Sequence, residues 1–349
     1  MERLNVNVTL SEKPTRKEID VEFIPTGSTL LDLALNGGWA LGRIFNIVGD
    51  KSSGKTLLVI EAFANFSRLY PSGRMRYAEA ESAFDEAYAE VLGFPDTVER
   101  PKEPLETVED FERDVYRFLK DGGPSLYILD SLDALTDEAE QKKFIKSMKP
   151  KKAESDEGND EKDEKEKGSY GVAKAKKMSE FFRMLTQDVK KADCSLGIVS
   201  QIRDRLNVSF GETKTRSGGR ALDFYASQIL WLAELKKINH SVMGIPRTTG
   251  INVQGKVKKN KVGLPFREVK FDIVFNYGID DENSMLDWLS QLSTFSKDDE
   301  KAFRSEVRVC RDGQNFDRLQ EINLMLADKT RSAWNEIEAA LAPSIRKYR

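Results

Sequence analysis

The sequence predicts an α/β fold in which a mainly parallel central sheet is flanked by helices, followed by a small helical C-terminal unit. Three observations lead there. Largely apolar runs of strand length at residues 43–48, 126–129 and 195–199 lack the polar alternation of a half-exposed sheet, as strands covered on both faces do. Segments of helical period separate them, and strands that alternate with helices form parallel sheets. From residue 285 onward only helical spacing remains.

At 349 residues the chain is long enough for one large domain and a smaller one. Its 55 Lys and Arg against 58 Asp and Glu leave it near neutral, so any surface for a polyanion has to be local. Cys194 and Cys310 are the only cysteines, and Cys194 lies in an apolar run, which argues against a disulfide framework and for a reducing compartment. The single histidine, His240, has no Cys, His or carboxylate at ligand spacing and reads as a loop residue rather than a metal ligand. No apolar stretch approaches the ~20 residues of a membrane span, and the polar N-terminus lacks a signal-peptide core. A cytoplasmic protein with no membrane partner is expected.

Taken in order, Leu4, Val6, Val8 and Leu10 alternate with polar residues and give a strand with one apolar face. It reads either as an added edge strand or as an arm that pairs with a neighbouring subunit. Residues 30–35 read as a short helix stopped by Asn36, Gly37 and Gly38. Then Gly49, Asp50, Lys51, Ser52, Ser53, Gly54, Lys55 and Thr56 fill every fixed place of the phosphate-binding loop pattern, between a strand and a helix. In that context backbone N–H groups turn toward phosphate oxygens at a helix N-terminus, where the helix dipole favours an anion. Lys55 would reach the β- and γ-phosphates and the Thr56 hydroxyl would ligate Mg²⁺, so the chain is expected to bind a nucleoside triphosphate.

A strand over residues 74–80 ends in Glu79, Ala80 and Glu81. Acids at the C-terminal ends of strands in an open α/β sheet point into the ligand crevice. Glu81 is therefore a candidate for orienting an attacking water, against the plainer reading of a solvated strand end. Four apolar residues closed by Asp130 read as the second nucleotide motif, whose carboxylate meets the metal. Between these strands Val108, Phe111, Val115, Phe118 and Leu119 have helical spacing.

The chain turns basic from residue 141, then strongly acidic over residues 154–166 without one apolar side chain. Such a segment cannot offset its ordering entropy by burial and reads as a disordered loop. Met178, Phe181, Phe182, Leu185 and Val189 mark the apolar stripe of the next helix. A further buried strand ends at Ser200 and Gln201. Residues 202–219 then carry Arg203, Arg205, Lys214 and Arg216, with Arg220 just beyond, interleaved with Leu206, Val208 and Phe210 and closed by Gly218 and Gly219. Cations with apolar wedges suit a nucleic-acid backbone and unstacked bases; a solvated surface loop is the alternative.

Residues 49–56, 79–85, 129–131, 200–203, 217–227 and 256–266 together resemble, in family order, the motifs of RecA-family recombinases, both bacterial and bacteriophage-encoded. The resemblance spans roughly residues 25–278. It implies a RecA-like P-loop ATPase core using ATP and Mg²⁺, with Glu81 as the catalytic glutamate, Gln201 as the γ-phosphate sensor and Asp130 beside the metal. By the same matching, Asp85 and Tyr88 would contact adenine, and Lys259 and Lys261 would reach the ATP of the adjacent subunit. Residues 202–219 match the second DNA loop, with Leu206 and Phe210 at its apolar positions. The first DNA loop would lie before the helix that starts near Tyr170, where Lys174 and Lys176 are candidate DNA contacts. The implied activity is that of a DNA-dependent ATPase which polymerises as a helical filament on single-stranded DNA and pairs it with double-stranded DNA, in recombination and repair. A RecA-fold helicase or motor, or a regulatory ATPase without strand exchange, are the alternatives.

Three departures from the family stand out. Its long N-terminal helix is absent or reduced to residues 4–10, the register slips around residues 170–177, and an acidic insertion at about 153–168 falls in or beside the first DNA loop, where negative charge opposes phosphate. The insertion reads either as a solvated tether or as a DNA mimic covering Arg203, Arg205, Lys214 or Arg216. The expected organisation is an arm (1–24), the core (25–280) and a small helical domain (281–349), in which Leu319, Ile322, Leu324, Leu326, Trp334, Ile337 and Leu341 have helical spacing.

Overall fold

The computed structural model of the chain describes residues 21–81, 84–148, 177–204, 214–216 and 221–343. The N-terminal arm, the acidic insertion and the expected first DNA loop with Tyr170, Lys174 and Lys176 lie outside these residues, as do Arg205, Leu206, Phe210, Gly218, Gly219 and Arg220.

A two-stranded antiparallel sheet of β1 (Phe23–Ile24) and β2 (Trp39–Ala40) brackets helix α1 (Thr29–Leu35), which Ser28 caps and Asn36 ends in the left-handed region. The main sheet is built on β3 (Ile44–Gly49), β4 (Arg74–Glu79), β5 (Ser125–Asp130), β6 (Cys194–Asp204), β7 (Lys214–Arg216) and β8 (Gln228–Val242). It is completed by β9 (Ile245–Asn260), β10 (Glu268–Val274) and β11 (Gly278–Asp280). Its centre is parallel, in the order β4-β5-β6-β3-β8, and β9, β10 and β11 extend it antiparallel beyond β8. Helices α2 (Lys55–Leu69), α3 (Glu86–Val91), α4 (Val108–Leu119) and α5 (Glu138–Met148) follow the first strands. After them come α6 (residues 177–191) and α7 (Ala221–Tyr225), then α8 (Asp281–Leu289), α9 (Lys297–Asp312) and α10 (Phe316–Leu341) at the C-terminal side.

β3 is buried at every position, which explains its run of apolar residues. Phe45 and Ile47 pack on one face with Leu58, Phe63 and Phe66 of α2, while Ile44 and Val48 pack on the other with Phe111 of α4 and Phe181 and Phe182 of α6. The one polar intrusion is satisfied: Asn46 Nδ2 donates to Ile198 O at 2.8 Å and Ser200 Oγ at 3.0 Å. α4 starts at a capping box in which Thr107 and Asp110 serve each other's backbone N–H groups.

Three features differ from the sequence reading. β6 does not stop at Gln201 but runs to Asp204, pairing antiparallel with β7, so the start and end of the basic segment form a hairpin. His240 stands in β8 of the long β8–β9 hairpin rather than in a loop, its Nδ1 2.7 Å from Thr249 Oγ1. In the C-terminal helices Leu319, Ile322, Leu326 and Ala327 of α10 bury against Met285, Leu286 and Leu289 of α8 and Val307 of α9, but Leu324, Ile337 and Leu341 are exposed. Leu324 precedes Leu326 by two residues and so faces nearly the opposite way on a turn of 3.6. Cys194 and Cys310 are free thiols buried in separate clusters. Among the described residues no helix is long and apolar enough to cross a membrane.

The C-terminal helices are joined to the rest by polar contacts. Asp281 accepts from Thr29 N and Thr29 Oγ1, both at 2.7 Å, and Arg311 of α9 donates to both oxygens of Asp280. Arg267 forks onto Glu338 of α10, while within the C-terminal helices Trp288 of α8 and Trp334 of α10 stand with ring centres 5.9 Å apart.

Candidate nucleotide site

The phosphate loop leaves the C-terminal end of β3, between β6 and β8, where an α/β sheet opens its ligand crevice. Close contacts fix its shape. A Cβ on Gly49 would lie 2.3 Å from Ser53 Oγ, and one on Gly54, which has φ of 88°, would lie 2.4 Å from Ile273 Cδ1. Buried Ser53 donates to Asp50 O at 2.8 Å. Gly54 offers α2 no side-chain cap, so the first amides of this helix are not taken up by a capping side chain. Lys55 Nζ arches back over the loop onto Gly49 O at 3.1 Å and Asp50 O at 2.6 Å. Burial lowers its pKa below the ordinary lysine value, against the pull of Asp130 and Glu81.

Asp130 ends β5 with one carboxylate oxygen accepting from Thr56 Oγ1 at 3.3 Å and from the buried Tyr77 hydroxyl at 3.0 Å. Burial pushes its carboxyl up to about 6, a shift that the Tyr77 hydrogen bond and Lys55 oppose. A hydroxyl and a carboxylate side by side at the phosphate loop are hard oxygen donors of the kind Mg²⁺ shares with phosphates. Among the described residues no group of three or more His, Cys, Asp or Glu could hold a metal without such help. Just past β4, exposed Glu81 accepts from Ser131 Oγ and, at 2.7 Å, from Gln201 Nε2. The fold thus joins a strand-end acid and a strand-end amide that are 120 residues apart.

A cleft of about 590 Å³ opens beside the loop, lined by Lys55, Thr56, Tyr88, Ile251, Ile273 and Phe275 among others. Tyr88, matched to adenine, stands in it and its hydroxyl accepts from Asn276 N at 3.4 Å. Asp85, its matched companion, caps α3 by accepting from Tyr88 N at 3.0 Å and is not among the lining residues. Sequence reasoning missed Ile273, for which the alternation along β10 was the available signal, Phe275 just beyond the end of β10, and Glu234 and Lys237, which reach the cleft only through the β8–β9 hairpin. It also missed Tyr77 and Asp133. Lys259 and Lys261 do not line the cleft; Lys259 Nζ donates to Asp223 O and Phe224 O and Lys261 Nζ to Phe224 O, at the C-terminal end of α7. Of the residues matched to the second DNA loop, Arg203 lies in β6 and Lys214 and Arg216 in β7.

Comparison with known proteins agrees with this geometry. The profile of the RecA N-terminal domain matches residues 7–280. The chain is 33% identical over 294 residues to Protein RecA of Symbiobacterium thermophilum, covering 81% of this chain and 73% of that one. It is 34% identical over 281 residues to Protein RecA of Citrifermentans bemidjiense (77% and 71%), and 31% identical over 314 residues to that of Rickettsia prowazekii (86% and 80%). A profile match across most of the chain, joined to a phosphate loop, a strand-end glutamate and a strand-end glutamine held as found here, means that the chain belongs to the RecA family.

Proposed function

We propose that this chain is an ATP-dependent recombinase that polymerises on single-stranded DNA and promotes homologous pairing and strand exchange, with hydrolysis governing release. As a RecA-family protein it belongs to the proteins of recombination and DNA repair. One observation supports the finer reading: Gln201, bonded to Glu81 at 2.7 Å, stands one residue before the basic β6–β7 hairpin, so the residue matched to the γ-phosphate sensor and the segment matched to the DNA loop share a strand.

In this reading the amides of residues 49–56 and Lys55 hold the phosphates, and Glu81 accepts a proton-bearing hydrogen bond from the water that attacks the γ-phosphate. Gln201 shares Glu81's oxygen and so responds when that oxygen turns toward water. Thr56 and Asp130 would hold Mg²⁺, which supplies charge neutralisation on the β- and γ-phosphate oxygens. Tyr88, with Ile273 and Phe275, would cover the base, and Asp85 would have to leave its cap to join them. Lys259 and Lys261, away from their own cleft, would complete the site of the adjacent subunit. Arg203, Lys214 and Arg216, with Arg205 and Arg220, would meet the DNA backbone and Leu206 and Phe210 its bases. Residues 281–343 would form a helical unit of their own, supported by their separate apolar cluster. A cytoplasmic location fits this role.

Electron microscopy with an ATP analogue, with and without single-stranded DNA, tests the proposal. Helical coats on DNA are expected. Closed rings would point to a motor, and the absence of any assembly to a regulatory ATPase.

A further inference from the structure

β5 and β6 pair only as far as Leu129 and Ile198. Beyond that point β5 ends at Asp130 and folds into the short 3₁₀ turn Leu132–Ala134. β6 continues to Asp204, still paired with β3 on its other side until Gly49 stands opposite Gln201. On the side that β5 has left, the main-chain N–H of Gln201 is met by a side chain instead of a strand: it donates to Asp133 Oδ2 at 2.8 Å. A backbone amide left unpaired in a partly buried place is costly, and a carboxylate is a stronger acceptor for it than a neutral carbonyl.

Gln201 is therefore gripped twice. Asp133 holds its backbone, and Glu81 holds its side chain while accepting from Ser131, two residues before Asp133. One residue further on the strand passes into the basic hairpin, with Ile202 opposite Arg216 and Asp204 opposite Lys214.

We propose that Asp133 is a positioning residue: its carboxylate replaces the missing strand partner of Gln201 and fixes the backbone pivot through which the state of the γ-phosphate is passed to the DNA-facing hairpin. This rests on the reading of Gln201 as phosphate sensor. With the pivot fixed, a change in the Gln201 side chain has to be absorbed by the hairpin. With the pivot loose, it is absorbed by local movement of residue 201, and DNA affinity stops following the nucleotide.

The experiment compares the affinity of the full chain for fluorescent single-stranded DNA in a non-hydrolysable ATP analogue and in ADP. The ratio of the two dissociation constants is the coupling between the sites. Asp133→Ala should lower that ratio at least about tenfold, and Asp133→Asn, which keeps an oxygen acceptor, should recover most of it. Hydrogen exchange at the Gln201 amide should speed up in the alanine variant. Loss of stability alone would not move a ratio taken on one protein. A parent that responds to nucleotide beside an Asp133→Ala variant that responds equally overturns this proposal and leaves the recombinase reading intact. A parent whose DNA affinity ignores the nucleotide overturns the sensor reading, and the proposal with it. Should the alanine variant not fold, Asp133→Asn decides alone: its weaker neutral acceptor should lower the ratio by about twofold, and an unchanged ratio refutes the role.

Discussion

If Lys259 and Lys261 act on a neighbour's ATP, defects in the phosphate loop and in the finger lysines must complement each other. The perturbation is an equal mixture of Lys55→Ala protein and Lys259→Ala/Lys261→Ala protein on single-stranded DNA. In a head-to-tail assembly each site takes its phosphate loop from one subunit and its lysines from the next. A site works only where a finger-defective subunit, whose loop is intact, is followed by a loop-defective one, whose fingers are intact. Random mixing makes that true at about one half times one half, or about one quarter, of the junctions. The structure supports this arithmetic because both lysines donate to α7 carbonyls and neither lines its own cleft. Phosphate release on saturating DNA, with co-assembly checked by differently labelled variants, reads the answer. Each variant alone should be near zero and the mixture near a quarter of the parent. A mixture that co-assembles yet stays at zero refutes the shared site, and one near one half, with the finger variant active by itself, shows the lysines to be dispensable.

Glu81→Gln should keep ATP and DNA binding yet lose about 10² to 10⁴ in hydrolysis, whereas Lys55→Ala should weaken nucleotide binding itself; turnover within about twofold of the parent removes Glu81 from the chemistry. Burial pushes the carboxyl of Glu61 on α2 up to about 7, so its contribution to stability is full below its ordinary value near 4.5 and is lost as pH rises through 7. Glu61→Gln should accordingly exceed the parent in urea unfolding by about 3 kcal/mol at pH 8 and by less than about 1 kcal/mol at pH 5, and a gain equal at both pH values would contradict this. Ile322→Ala, at a fully buried position, should cost about 2 to 5 kcal/mol, while exposed Leu324→Ala should stay within about 0.5 kcal/mol by the same measurement. Deleting residues 154–167 should tighten single-stranded DNA binding and steepen its salt dependence if the acidic insertion competes for the basic loop; superimposable isotherms would make it a tether.

The parts of the site that were legible in sequence are those whose chemistry needs fixed local spacing. The phosphate loop is one, because amides, lysine and hydroxyl must all come from consecutive residues. Asp130 is another, because a strand covered on both faces advertises itself by an unbroken apolar run. Glu81 was readable from its place at a strand end, whereas the role of Gln201 was readable only by resemblance, since the contact that unites the two closes across 120 residues. Asp133 left no signal at all, because what it serves is a main-chain N–H, which any residue at position 201 except proline would supply. The antiparallel extension from β8 to β11 was hidden for a similar reason, as its burial depends on which face the C-terminal helices cover. The exposed Leu324 shows the converse: an apolar residue at nearly helical spacing can still miss the stripe.

The seam between the core and the C-terminal helices bears on how the gene can be cut. A boundary at residue 280, where the sequence changes character, would pass between Asp280 and Asp281, the carboxylates that hold Arg311 and Thr29. It would also strip Arg267 of Glu338, on the loop that follows Lys259 and Lys261 by a few residues. An excised core would keep residues 49–56, Glu81, Asp130 and Gln201 and lose the Glu338 brace on the loop that follows Lys259 and Lys261. Fragments meant to isolate the ATPase are therefore better ended after α10 than before α8.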